Sequence, residues 1–215
     1  SCQGEGLLGP LVSCLTEFQV NRGITHLFVY TKTDTAHFFK SLGYYEIAQV
    51  DGAVSFLENR RDGFSRYLEA LKKTALPGRS GAVVMNANPF TLGHRHLVQT
   101  AAAACEGLHL FVLSEDASLV PFDVRMRLVR QGMADIPGVV LHPSGPYLIS
   151  HATFPSYFLK DSRQVIQAHA RLDAALFAHL AQALGICVRF AGEEPTSTVT
   201  AQYNACMAQV LPQCG

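Results

Sequence analysis

The sequence predicts an α/β fold built around a parallel sheet, and three observations lead to this prediction. From residue 79 onward, short apolar runs typical of buried strands alternate with amphipathic helical patterns. Strands joined through helices return in the same direction, so they pair in parallel. Hydrophobic residues make up 48% and charged residues 16% of the 215 residues, which is a globular composition.

Charge and cysteine usage exclude several classes of protein. The 17 basic residues balance the 17 acidic ones, so the chain has no overall field for nucleic acid or an anionic membrane. No apolar run is long enough to span a bilayer, and residues 1–10 lack the pattern of a secretory signal. The 6 cysteines form no close ligand pair. We therefore expect a cytoplasmic protein with reduced thiols and no resident metal site.

Residues 1–59 predict a first, smaller region. Gly9 and Pro10 weaken the first turn of its opening helix. Gly43 is a natural helix stop, and Asp51-Gly52 marks the turn of a hairpin. The predicted elements are a helix over 7–20, a strand over 25–31, a helix over 33–43, and hairpin strands over 44–50 and 53–58.

Residues 60–78 predict a connecting helix and linker that ends near Pro77-Gly78, with an apolar face that begins at Phe64. Residues 79–215 then form the predicted parallel α/β domain. Its predicted strands cover 81–85, 108–113, 138–142 and 186–192, and its helices 93–105, 122–135, 162–185 and 200–211.

The stretch GAVVMNANPFTLGHRHLV, residues 81–98, predicts a phosphate site. A buried strand runs into a tight turn and then a helix, and ligands of such folds lie at the carboxyl ends of strands beside helix N-termini. For His94 alone, an exposed helix residue is the favoured interpretation, whereas the whole stretch after a buried strand favours phosphate binding. The predicted nucleotide-binding residues of this stretch are Asn86, Asn88, Pro89, Phe90, Thr91, Gly93 and His94.

Four further residues are weaker candidates for nucleotide binding. Arg95 could reach phosphate or lie on the helix surface. Lys160 could contact a phosphate or acetate, or be a solvated loop lysine. Gly192 and Glu193 follow a predicted strand, so they could contact ribose or a metal, while the acidic turn could also cap a helix.

Several separated motifs resemble one family. Thr91-Leu-Gly-His94 is similar to the T/HxGH signature of nucleotidyltransferases, which have a Rossmann-like (cytidyltransferase-like) fold. Together with HLFVLSED, ATFPSYFLKD and FAGEEPTSTVTAQYN, this stretch resembles the citrate lyase ligases. The upstream THLFVYTKTDTAHFFKSLGYYEI resembles the GNAT acetyltransferase-like domain of that family, of which residues 1–59 would be a part.

The resemblance implies a reaction. Citrate lyase ligases use ATP and acetate to acetylate the prosthetic-group thiol on the acyl carrier subunit of citrate lyase, through an acetyl-adenylate, and release AMP and pyrophosphate. Thr91 and His94 would be the catalytic residues, and Mg²⁺ would arrive on the phosphates of ATP. The predicted partners are citrate lyase and acetate, with no nucleic acid and no membrane.

Two departures from the family pattern bear on activity. Nucleotidyltransferases of this kind carry a second signature, with an arginine at a helix N-terminus, but no lysine or arginine follows Arg189. We expect the C-terminal part of the domain to be missing and the 215 residues to be impaired as a ligase. Gln3-Gly-Glu-Gly6 resembles only the end of an acetyl-CoA loop.

Two alternatives to the ligase function stay open. One is a CoA-dependent N-acetyltransferase, and the other is a non-catalytic ATP-binding fragment of the ligase.

Overall fold

The computed structural model describes residues 6–150, 154, 162–193 and 198–213. The chain divides into two compact units, Ser1–Gly63 and Phe64–Gly215. This division falls within the segment 60–78 that the sequence analysis assigns to a connector. No helix of the described residues is both long enough and apolar enough to cross a membrane.

The first unit contains a three-stranded antiparallel sheet. The strand order is β1–β3–β2, so β3 is central and every one of its residues is buried. The hairpin predicted around Asp51-Gly52 is confirmed, as is the helix stop at Gly43, whose φ of 87° suits glycine. The elements are α1 (Leu8–Val20), β1 (Phe28–Thr31), α2 (Ala36–Ser41), β2 (Tyr45–Val50) and β3 (Val54–Glu58).

Helix α1 begins at Leu8 and includes Gly9 and Pro10, although the sequence analysis expects these residues to weaken its first turn. Proline is tolerated there because the N–H groups of the first turn have no intrahelical partner to lose. No residue of α1 is buried. The GNAT-like identity of this unit stays a prediction.

The second unit is an α/β domain with a four-stranded parallel sheet in the order β6–β5–β4–β7. The predicted fold class is therefore confirmed here. The central strands β4 and β5 are almost entirely buried, which explains their unbroken apolar sequences. The elements are α3 (Gly63–Lys72), β4 (Ser80–Met85), α4 (Leu92–Ala103), β5 (Gly107–Val112), α5 (Phe122–Gly132), β6 (Val139–Pro143), α6 (Ser162–Leu184), β7 (Ile186–Phe190) and α7 (Thr198–Val210).

Helices cover both faces of the parallel sheet. Val83 and Met85 of β4 pack in one apolar cluster with residues of α4 and α5. Ala82 and Val84, which point to the opposite face, pack in a second cluster with residues of α3 and α6. The helix predicted as a connector thus contributes its apolar face to the core of the second unit, because Phe64, Tyr67, Leu68 and Leu71 belong to that second cluster.

Candidate functional site

A cavity of about 680 Å³ opens at the carboxyl ends of β4 and β7. This volume lies within the roughly 300–1,000 Å³ typical of small-molecule sites. The N-terminal turn of α4 and one side of α7 complete its wall, so N–H groups of the α4 N-terminus and strand ends meet there. Its lining residues include Asn88, Thr91, Gly93, His94, Arg189 and Asn204.

Thr91 and His94 form the N-terminal cap of α4. The backbone N–H of Thr91 donates to Nδ1 of His94 at 3.1 Å, and the Thr91 hydroxyl lies 2.7 Å from the same nitrogen. Because a backbone N–H only donates, Nδ1 acts as an acceptor, and neutral His94 carries its proton on Nε2. The capping contact therefore selects the tautomer in which Nε2 can donate to a phosphate oxygen.

Gly93 leaves space above the first turn of α4. A Cβ at this position would meet only the Thr91 hydroxyl, at 3.7 Å. This space would let a phosphate approach the backbone N–H groups of the turn.

Asn86 and Asn88 have structural partners in the segment after β5. Nδ2 of Asn86 donates to Ser118 Oγ at 2.9 Å, and its Oδ1 accepts from Arg125 at 2.9 Å. Oδ1 of Asn88 accepts from the backbone N–H of Val120 at 2.9 Å. Both asparagines line the cavity, but these bonds show that they also hold the turn against the neighbouring loop.

Phe90 and Arg95 contact residues of α5 and the segment that follows it. The Phe90 ring packs on the apolar cluster of α4 and α5, so closely that a Cβ on Gly132 would lie 2.4 Å from it. Nη2 of Arg95 lies 2.6 Å from Oδ2 of Asp135, and this pairing raises the pKa of Arg95 and lowers that of Asp135. Neither residue is among those lining the cavity, and their predicted role in nucleotide binding stays a prediction.

The carboxyl end of β7 contributes a buried polar cluster that the sequence analysis missed. Nη1 of Arg189 donates to Oδ2 of Asp173 at 2.9 Å, and the Tyr203 hydroxyl donates to the same oxygen at 2.5 Å. Burial lowers the pKa of Arg189, but the charge of Asp173, the neighbouring Tyr203 and the hydrogen bonds to both together outweigh burial, so the net pKa is raised. Burial and the same charge raise the pKa of Tyr203, so its hydroxyl stays protonated as a donor.

Arg189 itself lines the cavity, although no lysine or arginine follows it in the sequence to supply the arginine of the second signature. It is the only lysine or arginine among the described residues that line the cavity, so the site has a cation without the second signature. The sequence signal for it is a charged residue inside the apolar strand ICVRF. Asp173 and Tyr203 carry no such signal, because only the packing of α6 and α7 brings them to Arg189.

Gly192 and Glu193 both line the cavity, while their contacts with ribose or a metal stay predictions. The side-chain amide of Asn204 donates to the Gly192 carbonyl at 3.0 Å and ties this segment to α7. Lys160 and Glu194 lie outside the described residues. Within the described ranges, no group of three His, Cys, Asp or Glu residues could hold a metal ion.

The sheet, the helix N-terminus and the cavity define an α/β domain of the nucleotidyltransferase type. Residues 80–215 match the profile of the citrate lyase ligase C-terminal domain. The chain is 45% identical over 206 residues to a citrate (pro-3S)-lyase ligase of Escherichia coli K12, covering 95% of the chain and 58% of that protein. It is 45% identical over 217 residues to the Klebsiella pneumoniae ligase, covering 100% of the chain and 64% of that protein.

A ligase of the same name from Haemophilus influenzae is 42% identical over 206 residues, covering 95% of the chain and 62% of that protein. The chain belongs to the citrate lyase ligase family. It spans 58–64% of the length of these curated relatives.

Proposed function

We propose that the chain is part of an ATP-dependent ligase that activates citrate lyase by acetylating the prosthetic-group thiol of its acyl carrier subunit. The observation behind this proposal is the cavity in which the α4 N-terminus, His94 and Arg189 meet. A helix N-terminus, a histidine donor and a guanidinium suit the phosphates of ATP. The family membership adds the link to citrate lyase.

The proposed chemistry has two steps. A carboxylate oxygen of acetate attacks the α-phosphorus of ATP, so an acyl–O–P bond forms, the bond to the β-phosphate oxygen breaks, and pyrophosphate leaves. The thiolate of the acyl carrier then attacks the carbonyl carbon of the acetyl-adenylate and AMP leaves with the bonding electron pair. Neither step needs a covalent bond to the protein, so binding and charge stabilisation supply the catalysis.

Each lining residue has a role in this proposal. Nε2–H of His94 donates to an α-phosphate oxygen as charge builds there, while Thr91 holds the imidazole in the required tautomer. Arg189 provides the positive charge, and the first turn of α4 provides backbone donors. Gly192 permits a close approach to the ribose.

Magnesium would be held mainly by the phosphates of ATP. This fits the site, because Mg²⁺ in such enzymes uses one or two carboxylates plus substrate phosphates, and Glu193 lines the cavity. The ion would neutralise charge on the departing pyrophosphate.

Cys14, Cys105, Cys187 and Cys206 are free thiols, which supports a cytoplasmic location for the proposed reaction.

Ligand-dependent stability tests the nucleotide site. A ligand that binds only the native state raises its stability by mass action, so Mg-ATP should raise the melting temperature of the 215-residue chain. Acetyl-CoA should have no such effect. A shift with acetyl-CoA and none with Mg-ATP would favour the N-acetyltransferase alternative instead.

His94→Ala tests the catalytic assignment in a protein extended to the length of the relatives. Acetate-dependent pyrophosphate release should fall by roughly 100–1,000-fold, the usual cost of losing one transition-state donor. His96→Ala is the matched control, because His96 is an exposed residue of the same helix. Equal rates for the two variants would remove His94 from the mechanism.

A further inference from the structure

A second, smaller cavity adjoins the nucleotide cavity. Its volume is about 260 Å³, and it lies where β4 and β5 end, between the middle of α6 and the start of α7. The two cavities share six wall residues, which are Val84, Met85, Asn86, Arg189, Thr200 and Tyr203. They are therefore adjacent compartments of one site rather than two distant pockets.

The size and lining of this cavity limit what it can hold. Its volume is below the roughly 300–1,000 Å³ of pockets for drug-sized ligands, so it suits a small group rather than a second nucleotide. Much of its wall is aliphatic, from Leu113, Ile149, Ile166 and Val199. Burying an anion against such a wall without a partner is costly, but burying a short alkyl group is favourable.

Polar residues line the second cavity both at the boundary, where Arg189 is shared with the first cavity, and further in, where Ser150 and His169 belong to the second cavity alone. Arg189 is held at the boundary by Asp173, and the side chain of Arg189 is only 10% exposed. A guanidinium has five N–H donors, more than its bond to Asp173 uses, so it can also donate to a ligand oxygen. Oδ2 of Asp173 already accepts hydrogen bonds from Arg189 and Tyr203. These bonds compensate the negative charge of Asp173, which reduces its repulsion of a ligand carboxylate.

We propose that the second cavity binds the acyl group of a short monocarboxylic acid, with the carboxylate at Arg189 and the alkyl end against Ile149, Ile166 and Val199. This inference rests on the proposed function and identifies where its acid substrate lies. The shared wall would place a carboxylate oxygen beside the α-phosphate of a nucleotide in the first cavity. The bond changes are those of the adenylation step. The bond between the carboxylate oxygen and the α-phosphorus forms, and the bond between the α-phosphorus and the pyrophosphate oxygen breaks.

The arrangement gives a rule for acid selection. A second carboxylate at the alkyl end would have to leave water for the aliphatic wall, so dicarboxylic acids should be rejected. The depth of the aliphatic wall should set the accepted chain length, because each extra methylene in an apolar pocket changes binding roughly 10-fold or more. Ile166 and Val199 line only the second cavity, so they should control chain length without affecting the nucleotide.

The experiment uses binding rather than turnover. Dissociation constants are measured by calorimetry on the 215-residue chain for AMP and for two stable acyl-adenylate analogues, acetyl-sulfamoyl and butyryl-sulfamoyl adenosine. Ile166→Ala should shift the affinity ratio roughly 10-fold toward the butyryl analogue. Ile166→Phe should weaken both analogues, and AMP affinity should stay within about twofold in both variants.

Two further variants guard against effects of lost packing. Leu176→Ala removes a similar buried side chain from the same helix but does not line the cavity, so it should leave the analogue ratio unchanged. Val199→Ala enlarges the cavity at a residue that is 39% exposed, so folding should persist and the ratio should move in the same direction as in Ile166→Ala.

The outcomes separate this inference from the proposed function. If AMP binds normally but neither Ile166→Ala nor Val199→Ala changes the analogue ratio, the acyl group lies elsewhere and this inference is wrong, while the nucleotide site stands. If AMP, ATP and both analogues all fail to bind the unmodified chain, the proposed function is wrong, and the acyl cavity is rejected with it.

Discussion

Arg125 and Arg189 both lie at the carboxyl edge of the parallel sheet, but their surroundings differ. Arg125 of α5 is fully buried and donates to the backbone carbonyls of Asn86, Leu113 and Val120 at 2.7–2.9 Å, and also to Glu115 O. Its described acceptors are neutral. Arg189 of β7 is paired with a carboxylate and lines two cavities.

The difference separates a structural arginine from the one that we propose to bind the nucleotide. The donors of Arg125 are used by carbonyls at the ends of β4 and β5, so this side chain ties two strand ends and a loop together. Arg189 is held by the Asp173 carboxylate and lies over the Phe177 ring. In our proposal its remaining N–H donors serve a ligand.

Replacing Arg125 should have the largest effect on stability. Arg125→Met leaves several buried carbonyls without a donor, and each orphaned acceptor costs about 1–3 kcal/mol, so we expect a loss of about 4 kcal/mol or more. Urea unfolding measures it. Arg127→Met, an exposed position on the same helix, is the control and should change the free energy of unfolding by less than about 0.5 kcal/mol. Similar losses in both variants would contradict the structural role.

Replacing Arg189 should lower the free energy of unfolding less than replacing Arg125 does, but it should weaken the binding of Mg-ATP. Arg189→Met leaves Asp173 as an unpaired buried carboxylate, which typically costs about 3 kcal/mol. Adding Asp173→Asn removes that charge, keeps an acceptor for Tyr203, and should restore much of the stability. Mg-ATP affinity, measured by calorimetry, should stay at least about 10-fold weaker in both variants.

If the double variant binds Mg-ATP as well as the unmodified chain does, Arg189 is a second structural arginine. The comparison with Arg125 would then fail. If stability is not recovered in the double variant, the ion pair does not account for the cost of the single substitution.

A histidine pair should produce a pH-dependent effect, absent near neutral pH, on the sheet face that packs against α3 and α6. Nδ1 of His109 lies 3.0 Å from Nε2 of His142, and both side chains are buried. Burial and the neighbouring His109 lower the pKa of His142 to about 4, and burial also lowers the pKa of His109.

A lowered pKa in the folded state means that the unfolded chain binds more protons as the pH falls below 6.5. Stability should therefore be full above pH 6.5 and decline between pH 6.5 and about 4, by at most about 1.4 kcal/mol per pH unit for each histidine. Urea unfolding across this range should show a shallower decline in His142→Phe, whereas His96→Gln should match the unmodified chain. An unchanged slope in His142→Phe would exclude the pair as the cause.

Local signals explain which parts of the site were predictable. Strand β4, the Thr91 cap and the first turn of α4 lie within about 20 residues, and their hydrogen bonds join near neighbours in sequence. The alternation of strands and helices also predicted the parallel sheet. In contrast, the pairing of Arg95 with Asp135 spans 40 residues, so no local pattern distinguishes it from a phosphate contact.

By itself, the sequence determined that a buried strand leads through a tight turn into a helix, because burial and turn preferences act over a few residues. It also determined the family, through motifs that keep their order along the chain. Only the tertiary structure decided which arginine faces the cavities, which is bound by carbonyls, and that Asp173 and Tyr203 hold Arg189. These assignments depend on partners from separate helices and strands, and packing alone brings those partners within hydrogen-bonding distance.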